Sequence, residues 1–385
     1  MRSTPDRVAV RLAVFLRAYR TIMPTIIRSP DDDALAELCG KLAARAERLD
    51  ESGDWPAEQL KLFADYGVYE WFAGPQWGGQ EWDQESILRG YLALSGACLT
   101  TTFIQTQRDG ACRRIESSTN EPLKERLLPG LTNGELFATV GISHLTTSRR
   151  HVAKPVLQAR RVDGGFLLDG FSPWVTGADH ADYVVLGATL MNGDEATNEQ
   201  LLAAVSSKLP GVSAPPPAKL VGLSASHTGQ FKLENVFVGD EWLIAGPIEN
   251  VMSAGKGAGT GGLGTSTLAL GLAKAAIDFI SGEASKRPEL EPPRDGLLRE
   301  FEELEASLFA AIRNEPRCTN DELRGGANSL VLRGTQASLA AAKGAGFVVG
   351  HPAGRWCREA LFFLVWSCPQ PVVSAHLCEL AGILD

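Results

Sequence analysis

The spacing of apolar side chains changes twice along the chain, and this order of patterns constrains the fold more than any other feature. In residues 31–132 apolar side chains recur every three or four positions, as at Leu35, Leu38 and Leu42, which predicts helices. From about residue 135 the chain has short, turn-bounded runs rich in β-branched and aromatic residues, which predict strands. From about residue 266 the helical spacing returns.

This order predicts a multidomain α+β protein, because 385 residues are more than one hydrophobic core usually holds. The short strands favour a compact β-barrel in the middle of the chain. A last helix at about 356–381 is expected to break or kink near Pro369 and Pro371. We predict four segments: an extension at 1–29, an N-terminal helical domain at 30–134, a β-barrel domain at 135–246 and a C-terminal helical bundle at 247–385.

The charge of the chain excludes one class of partner. Lys and Arg number 37 against 46 Asp and Glu, a formal net charge of −9, and no basic block stands out. Because phosphate backbones are bound by clustered cations, nucleic acid is not expected as a partner. No apolar run approaches the roughly 18 residues of a spanning helix, so no membrane span is predicted.

Cysteine and histidine usage predicts a cytoplasmic protein without a metal. The seven cysteines form no C-x-x-C pair, which favours reduced thiols, and the six histidines lack the spacing of metal ligands. The first 29 residues contain six arginines and a single acid, Asp6. This composition is found in organellar transit peptides, but a disordered or over-called N-terminus is the favoured interpretation.

A glycine-rich segment at residues 255–264 contains the spacing G-x-G-x-x-G at Gly257, Gly259 and Gly262. A dinucleotide fingerprint needs a buried strand before it and a βαβ unit around it, whereas only helical patterns follow here. The segment also lacks the G-K-[ST] ending of a phosphate loop. It is therefore interpreted as a flexible loop that enters a helix.

Five short segments carry motifs whose order is more specific than any one of them. They are Pro-Gln-Trp-Gly-Gly at 75–79, Asn-Glu-Pro-Leu-Lys at 120–124, Trp-Val-Thr-Gly-Ala at 174–178, Gly-Leu-Ser-Ala-Ser-His-Thr at 222–228 and Pro-Ala-Gly-Arg-Trp-Cys-Arg-Glu-Ala at 352–360. As a set these segments resemble the acyl-CoA dehydrogenase family. The resemblance implies that family's fold, an N-terminal helical domain, a central β-barrel and a C-terminal four-helix bundle.

The resemblance also implies a cofactor and its site. Members of the family hold FAD between the β-domain and the C-terminal helices, and a hydride passes from a thioester substrate to the flavin. Trp174 and Thr176 match residues that contact the flavin ring, and Ile142 and Ser143 match the pair at its pyrimidine edge. An apolar face with a few placed polar groups suits a flavin. Ordinary packing at strand ends is the alternative interpretation.

Several phosphate-binding positions depart from the family's motifs. Arg149 stands where the family has a serine near the FAD pyrophosphate, and a guanidinium can still bind a phosphate. Arg287 is retained, but Glu291 brings a negative charge close to that position. The family's glutamine–glycine motif keeps Gly344 and loses the glutamine, and Lys343 offers a phosphate contact instead.

The positions of the family's catalytic base are not acidic. Counting from the motif at 352–360, the family's glutamate falls on Ser367, and the base position used by some other members falls at about Gly261. Removing an α-proton from a thioester needs a placed base, worth roughly 10²–10⁴ in rate. We therefore expect an FAD-dependent oxidoreductase with altered or weak dehydrogenase chemistry. A flavin-dependent monooxygenase of the same fold and a non-catalytic acyl- or protein-binding member are the alternatives.

The resemblance implies partners as well. The expected substrate is an acyl thioester or another small hydrophobic molecule, and an electron-transfer or reductase protein is an expected partner. A homodimer or homotetramer is expected, and the small-residue helical runs at 266–280 and 336–347 offer faces for close packing. In such an assembly the region of Arg287 would reach the neighbouring subunit's FAD.

Overall fold

Helices form the N-terminal part of the chain. The computed structural model describes residues 25–146, 155–254 and 262–383. Its first helices are α1 (Asp33–Ser52), α2 (Ala57–Asp65), α3 (Gln84–Ala97), α4 (Leu99–Glu116) and α5 (Glu121–Asn133). The Asp83 carboxylate accepts the Ser86 backbone N–H at 2.7 Å at the start of α3, and Gly134, with φ +83°, ends α5. Such capping residues divide the apolar pattern into separate helices.

The middle of the chain forms one sheet. Its strands are β1 (Ala138–Gly141), β2 (Leu157–Val162), β3 (Gly165–Val175), β4 (Tyr183–Asn192), β5 (Glu195–Ser206), β6 (Val212–Ser213), β7 (Gly229–Gly239) and β8 (Leu243–Glu249), and the short helix α6 (Ser143–Thr146) follows β1. The strand order is β6-β7-β3-β2-β4-β5-β8, and β1 pairs with β4. Strands β1 and β2 run parallel to β4, and the other pairs are antiparallel.

The alternation of side chains along β4 gives the sheet an apolar core on each face. Val184 and Leu186 belong to a core built from sheet residues, whereas Val185 belongs to a core shared with α4 and α5. Leu201 and Leu202 of β5 divide between the two cores in the same way. This follows from the period of two in a strand. The second core therefore joins the sheet to the N-terminal helices.

The C-terminal part is again helical. It contains α7 (Leu263–Ala284), α8 (Glu291–Ile312), α9 (Asn320–Gly346), α10 (Pro352–Ala360) and α11 (Gln370–Leu380). By length and composition α7 could span a bilayer, contrary to the expectation from sequence, but 67% of its most apolar window is buried inside the protein. Its apolar side chains lie in the large core formed by the N-terminal and C-terminal helices. The apolar composition of α7 is therefore explained by its position in the centre of that core.

Small residues let α7 lie close to α3. A Cβ added at Gly271 would be 2.4 Å from the Leu92 carbonyl oxygen, and one added at Gly96 would be 3.0 Å from the Gly271 carbonyl oxygen. The Ser95 hydroxyl donates to the Leu268 carbonyl at 2.7 Å across the same contact. The small residues of α7 were predicted to serve close packing. They do so in a contact between two helices of the same chain. This contact fixes the C-terminal helices on the N-terminal ones.

The predicted order of helices, sheet and helices is confirmed. Strands β1, β5, β6 and β8 were not predicted from the sequence: β1 and β6 are only four and two residues long, and half of β5 is polar. Strand β8 ends at Glu249, three residues beyond the predicted domain boundary. The predicted last helix is interrupted earlier than expected, because α10 ends at Ala360 and α11 begins at Gln370.

Candidate functional site

A cleft of about 740 Å³ lies where the sheet meets both groups of helices. Its walls come from α3 and α4, from the ends of β1 and β3, from the loop before β7 and from the turn after α10. Small-molecule sites are concave spaces of this size, largely apolar with a few placed polar groups. The cleft brings together five residues that the sequence analysis singled out: Ile142, Ser143, Trp174, Thr176 and Ser367.

The end of β3 gives the cleft a flat apolar wall beside a group of hydroxyls. Trp174 is half-exposed there, whereas Thr176 is buried. Both side chains line the cleft. The Thr176 hydroxyl lies 3.1 Å from that of Thr228, which lies 2.8 Å from that of Ser226. These three hydroxyls can place donors and acceptors along one edge of a bound ring.

The end of β1 forms an adjoining part of the wall. Ile142 and Ser143 line the cleft where β1 gives way to α6. The next residue, His144, is buried, and its Nε2 lies 2.7 Å from the Gly187 carbonyl of β4. Burial lowers the pKa of His144, so the imidazole is neutral and Nε2–H is the donor. This bond fixes α6, and with it Ile142 and Ser143, against the sheet.

Ser367 lies in the turn after α10, not on a helix. Its φ of +45° is in the left-handed region, which a serine rarely adopts. Phe362 and Trp366 line the cleft beside it, stacked at 4.9 Å, and Phe103 of α4 meets the Trp366 ring edge-on. The position predicted for a catalytic carboxylate therefore faces the cleft, with a hydroxyl in place of an acid.

Two buried side chains of α9 hold this turn. Arg324 Nη2 donates to the Trp366 carbonyl, and Asn328 Nδ2 donates to the Phe363 carbonyl, each at 2.9 Å. Burial lowers the pKa of Arg324 to about 10, so the guanidinium stays charged at neutral pH. These bonds satisfy carbonyls that the end of a helix leaves open. The backbone that presents Ser367 is therefore fixed by α9.

Charged side chains of α4 also face the cleft. The single N–H of Arg113 Nε is shared between the two carboxylate oxygens of Asp109, which lie 2.8 and 2.9 Å from Nε. Burial raises the pKa of the Asp109 carboxyl, and Arg113 opposes this shift. Arg114 is only 6% exposed, and its Nη1 donates to the Gly110 carbonyl of its own helix at 2.9 Å. In the described part of the chain no carboxylate lies within ion-pair distance of Arg114, although Asp109 of the same helix attracts it from further away, so Arg114 places a buried positive charge at the wall of the cleft.

A second buried acid, Glu359, lies away from the cleft. Glu359 is buried and pairs with Arg355 Nη1 at 2.9 Å, and Arg355 Nε pairs with Glu47 of α1 at 2.7 Å. Burial raises the pKa of Glu359, and Arg355 opposes this shift. The network joins α10 to α1. Of the described residues that line the cleft, Asp109 is the one with a carboxylate.

Known proteins share this architecture. Residues 32–135 match the family described as acyl-CoA dehydrogenase, N-terminal domain. Over 363 residues the chain is 23% identical to the mitochondrial 2-methylacyl-CoA dehydrogenase of Solanum tuberosum, covering 84% of this chain and 82% of that protein. The butyryl-CoA dehydrogenase structure from Megasphaera elsdenii matches with a TM-score of 0.78 at 16% identity, covering 91% of this chain and 98% of that one. The chain belongs to the acyl-CoA dehydrogenase superfamily.

Another solved structure of this fold extends the comparison beyond acyl-CoA dehydrogenases. The structure of KijD3 in complex with FMN and a dTDP-linked amino sugar matches with a TM-score of 0.70 at 19% identity. The match covers 92% of this chain and 93% of that chain. The acyl-CoA dehydrogenase fold therefore occurs with a ligand that is not an acyl thioester.

Of the residues that match the superfamily's phosphate-binding positions, some lie together near the end of α9 and one lies outside the described residues. Arg287 follows α7, pairs with Glu283 and donates from Nη2 to the Ala341 carbonyl of α9 at 2.6 Å. Lys343, beside Gly344, has φ +56° and interrupts α9. These positions gather near the end of α9 and are not among the described residues that line the cleft. Arg149 and Gly261 lie outside the described residues.

Sequence reasoning missed Arg114, Arg324 and Asn328. Each is a polar residue on the buried side of a helix; the other buried residues of α9 are largely apolar or small, whereas those of α4 are about half polar. Buried charged and amide groups are costly unless they bind something, so such positions are a signal of function or of turn support.

Proposed function

We propose that the chain is a flavin-dependent oxidoreductase of the acyl-CoA dehydrogenase type with FAD as its cofactor. The observation that carries the proposal is the convergence of Ile142, Ser143, Trp174 and Thr176 on one cleft that Ser367 also lines. Membership of the superfamily supports the same cofactor. The assignment rests on residues that are distant in sequence and adjacent in space.

The cleft fits a planar ring with a polar edge. The half-exposed indole of Trp174 offers a face for stacking, and the hydroxyls of Thr176 and Thr228 lie beside it. The buried charge of Arg114 favours a ligand that is negatively charged near α4. When bound, a flavin supplies the acceptor for a hydride from the substrate. The chain itself supplies the stacking wall, the hydrogen-bonding edge and the charge.

Removal of an α-proton is the step for which this cleft is poorly equipped. Position 367 offers a hydroxyl, and the carboxylate of Asp109 is held by Arg113. Burial raises the pKa of the neighbouring Cys368 thiol, so the thiol is protonated at neutral pH. A serine without a partnered base is a weak proton acceptor. We therefore propose altered or weak dehydrogenase chemistry.

A flavin-dependent monooxygenase is the second candidate. Ser367 favours it, because oxygen chemistry on a reduced flavin does not require the thioester base that is missing here. The match to KijD3, solved with FMN and a nucleotide sugar, supports a wider range of ligands for this fold. A non-catalytic member that binds an acyl chain or a protein remains the third possibility, and it differs from both by lacking a flavin.

The visible spectrum of the purified chain separates these functions. Flavin absorbance, present on purification or after addition of FAD, is the expected result. Under anaerobic conditions, bleaching by an acyl-CoA identifies a dehydrogenase. Substrate-dependent oxygen consumption with a reductase and NAD(P)H identifies a monooxygenase. A chain that takes up neither FAD nor FMN would contradict the proposal.

Replacement of one side chain tests the assignment of the base position. Ser367→Glu places a carboxylate where the superfamily's base is expected, so acyl-CoA dehydrogenation should rise by roughly 10²-fold or more. Ser367→Gln introduces a side chain of the same size as glutamate that cannot act as a base, so the rate of acyl-CoA dehydrogenation should not rise. Reduction of an artificial acceptor with short, medium and long acyl-CoA is the measurement. Turnover by the natural chain at about 1–10³ per second would show that the assignment is wrong.

We propose that the assembly completes the cofactor site. Arg287, Lys343 and Gly344 lie together near the end of α9, and in a homodimer or homotetramer they would meet the phosphates of a neighbouring subunit's FAD. A reductase or electron-transfer protein would exchange electrons with the flavin. We further propose that the protein acts in the cytoplasm.

A further inference from the structure

Two loops outside the cleft bring three metal-ligating side chains together. Asp179 and His180 belong to the turn after β3, and His227 belongs to the loop before β7. His227 Nδ1 lies 2.9 Å from Asp179 Oδ2 and 3.2 Å from His180 Nε2. The third side of this triangle, from His180 Nε2 to Asp179 Oδ2, is 3.7 Å. The cluster is partly exposed, so an ion could reach it from solvent.

The triangle has the size of one face of a tetrahedral metal site. Ligand atoms about 2.0–2.1 Å from Zn²⁺ lie roughly 3.3 Å from one another in a tetrahedron. The three measured distances, 2.9, 3.2 and 3.7 Å, bracket that value. One ion therefore has room to contact all three atoms after shifts of a few tenths of an ångström. Two imidazoles and one carboxylate suit zinc and its neighbours, not calcium or magnesium.

The surrounding residues hold both loops in place. The Trp55 ring stacks on His180 with centroids 4.3 Å apart and planes at 12°. The Gly177 N–H donates to the carbonyls of Ser226 and His227 at 3.0 and 3.2 Å, which ties one loop to the other. A Cβ at Gly177 would be 2.7 Å from the Trp55 ring. The three ligating atoms are thus oriented by packing and do not depend on the ion for their placement.

We propose that Asp179, His180 and His227 bind one divalent transition-metal ion of the zinc class, with the fourth position open to water. The site is separate from the proposed flavin function and stands without it. Its location gives it a structural role, because Thr176 precedes one loop and Ser226 and Thr228 flank His227. A bound ion would brace the hydroxyl edge of the cleft from outside.

Titration of the chelator-treated full chain tests the site. Zn²⁺ in calorimetry at pH 7.5 should bind with one ion per chain, and Co²⁺ should give the visible bands of tetrahedral coordination without thiolate charge transfer. His180→Phe keeps a ring on Trp55 and removes the nitrogen. His227→Asn tolerates the left-handed φ of +47° and removes the imidazole. Each should weaken Zn²⁺ binding at least about tenfold.

A histidine elsewhere serves as the matched control. His351 starts α10, and His351→Phe should bind Zn²⁺ as the natural chain does. Circular dichroism of each variant confirms that it is folded, and Asp179→Asn provides a third variant with the smallest change. Zn²⁺ binding that is absent in the natural chain would overturn the proposal. Equal binding by the natural chain, His180→Phe and His227→Asn would also overturn it, as would a thiolate band with Co²⁺.

Discussion

Arg114 illustrates how a single buried charge links stability to ligand binding. A guanidinium without a carboxylate partner is costly to bury. Arg114→Met keeps the length and apolar character of the side chain and removes the charge. We expect the cofactor-free variant to unfold at higher urea concentration, with a gain of about 1 kcal/mol. The same variant should bind its anionic ligand or cofactor more weakly.

Arg114→Lys is the control for charge, since it keeps the cation with a different shape. It should leave the urea midpoint near that of the natural chain. Flavin content and urea midpoint are measured on the same preparations. A loss of stability in Arg114→Met of more than about 1 kcal/mol would mean that the guanidinium stabilises the fold by itself, contrary to this argument.

His144 makes stability depend on pH. Burial lowers its pKa below the usual value of about 6.5, so the unfolded chain binds the proton more readily. The neutral residue therefore contributes stability above pH 6.5, and that contribution is lost as the pH falls through the folded-state pKa. The loss is at most about 1.4 kcal/mol per pH unit. Urea midpoints at pH 7.5 and 5.5 measure the effect.

The control is His144→Gln, which retains an N–H donor for the Gly187 carbonyl but does not titrate. It should reduce the difference between the two midpoints. An unchanged difference would assign the pH dependence to other groups.

For single residues, the family motifs predicted more of the cleft lining than did reasoning from side-chain chemistry alone. Trp174 and Thr176 were predicted to share one wall of a cleft from their match to the family motif and their position at a strand end, and both line the cleft. Arg114 was not predicted, because the direction of its side chain depends on how α4 packs on the sheet. The histidines lack the sequence spacing of metal ligands, yet two loops bring His180 Nε2 and His227 Nδ1 to 3.2 Å from each other. The number of residues between two histidines does not indicate whether the fold brings their side chains into contact.

Among the helices, the contact between α3 and α7 gives the clearest prediction. Gly271→Ala would place a methyl group 2.4 Å from the Leu92 carbonyl oxygen, so the helices must separate. The expected loss in the free energy of unfolding is about 1–3 kcal/mol. Gly282→Ala on the same helix meets nothing within 4 Å and should stabilise by about 0.5–1 kcal/mol. Equal effects of the two substitutions on the urea midpoint would refute this packing argument.

Helices were easier to predict than strands for a physical reason. Caps such as Asp83 and apolar spacing over many residues specify a helix locally. Strand β1 has four residues and gains its stability by pairing with β4, some 45 positions away. The turn at Ser367 was assigned to a helix because its apolar neighbours have helical composition. Its actual form depends on Arg324 and Asn328, which come from another helix.

For the molecule as a whole, the exposed apolar surface predicts self-association. Phe347, Val348 and Val349 follow α9 and are 87%, 63% and 84% exposed. Apolar strips of this kind mark interaction surfaces. Light scattering at micromolar concentration should give the mass of a dimer or tetramer. Val349→Glu should lower that mass, because it places a charge in the buried contact.

Phe237→Glu provides the comparison, since it adds the same charge at a half-exposed position of β7. It should leave the mass unchanged. A natural chain with the mass of a monomer would contradict the expected assembly. The order of the domains was predictable from one chain, whereas the residues that meet in an assembly depend on a second copy.

In the turn around Ser367, the position of the backbone does not depend on which side chain residue 367 carries. Its backbone is held from α9 by bonds to the carbonyls of Phe363 and Trp366, so the residue at 367 can change while its place in the cleft does not. Different reactive side chains can therefore be substituted at position 367 without moving the backbone of the turn. A carboxylate, a thiol or an imidazole introduced there would meet the same ligand from the same direction. This makes the chain a scaffold on which alternative reactions can be compared by changing one side chain.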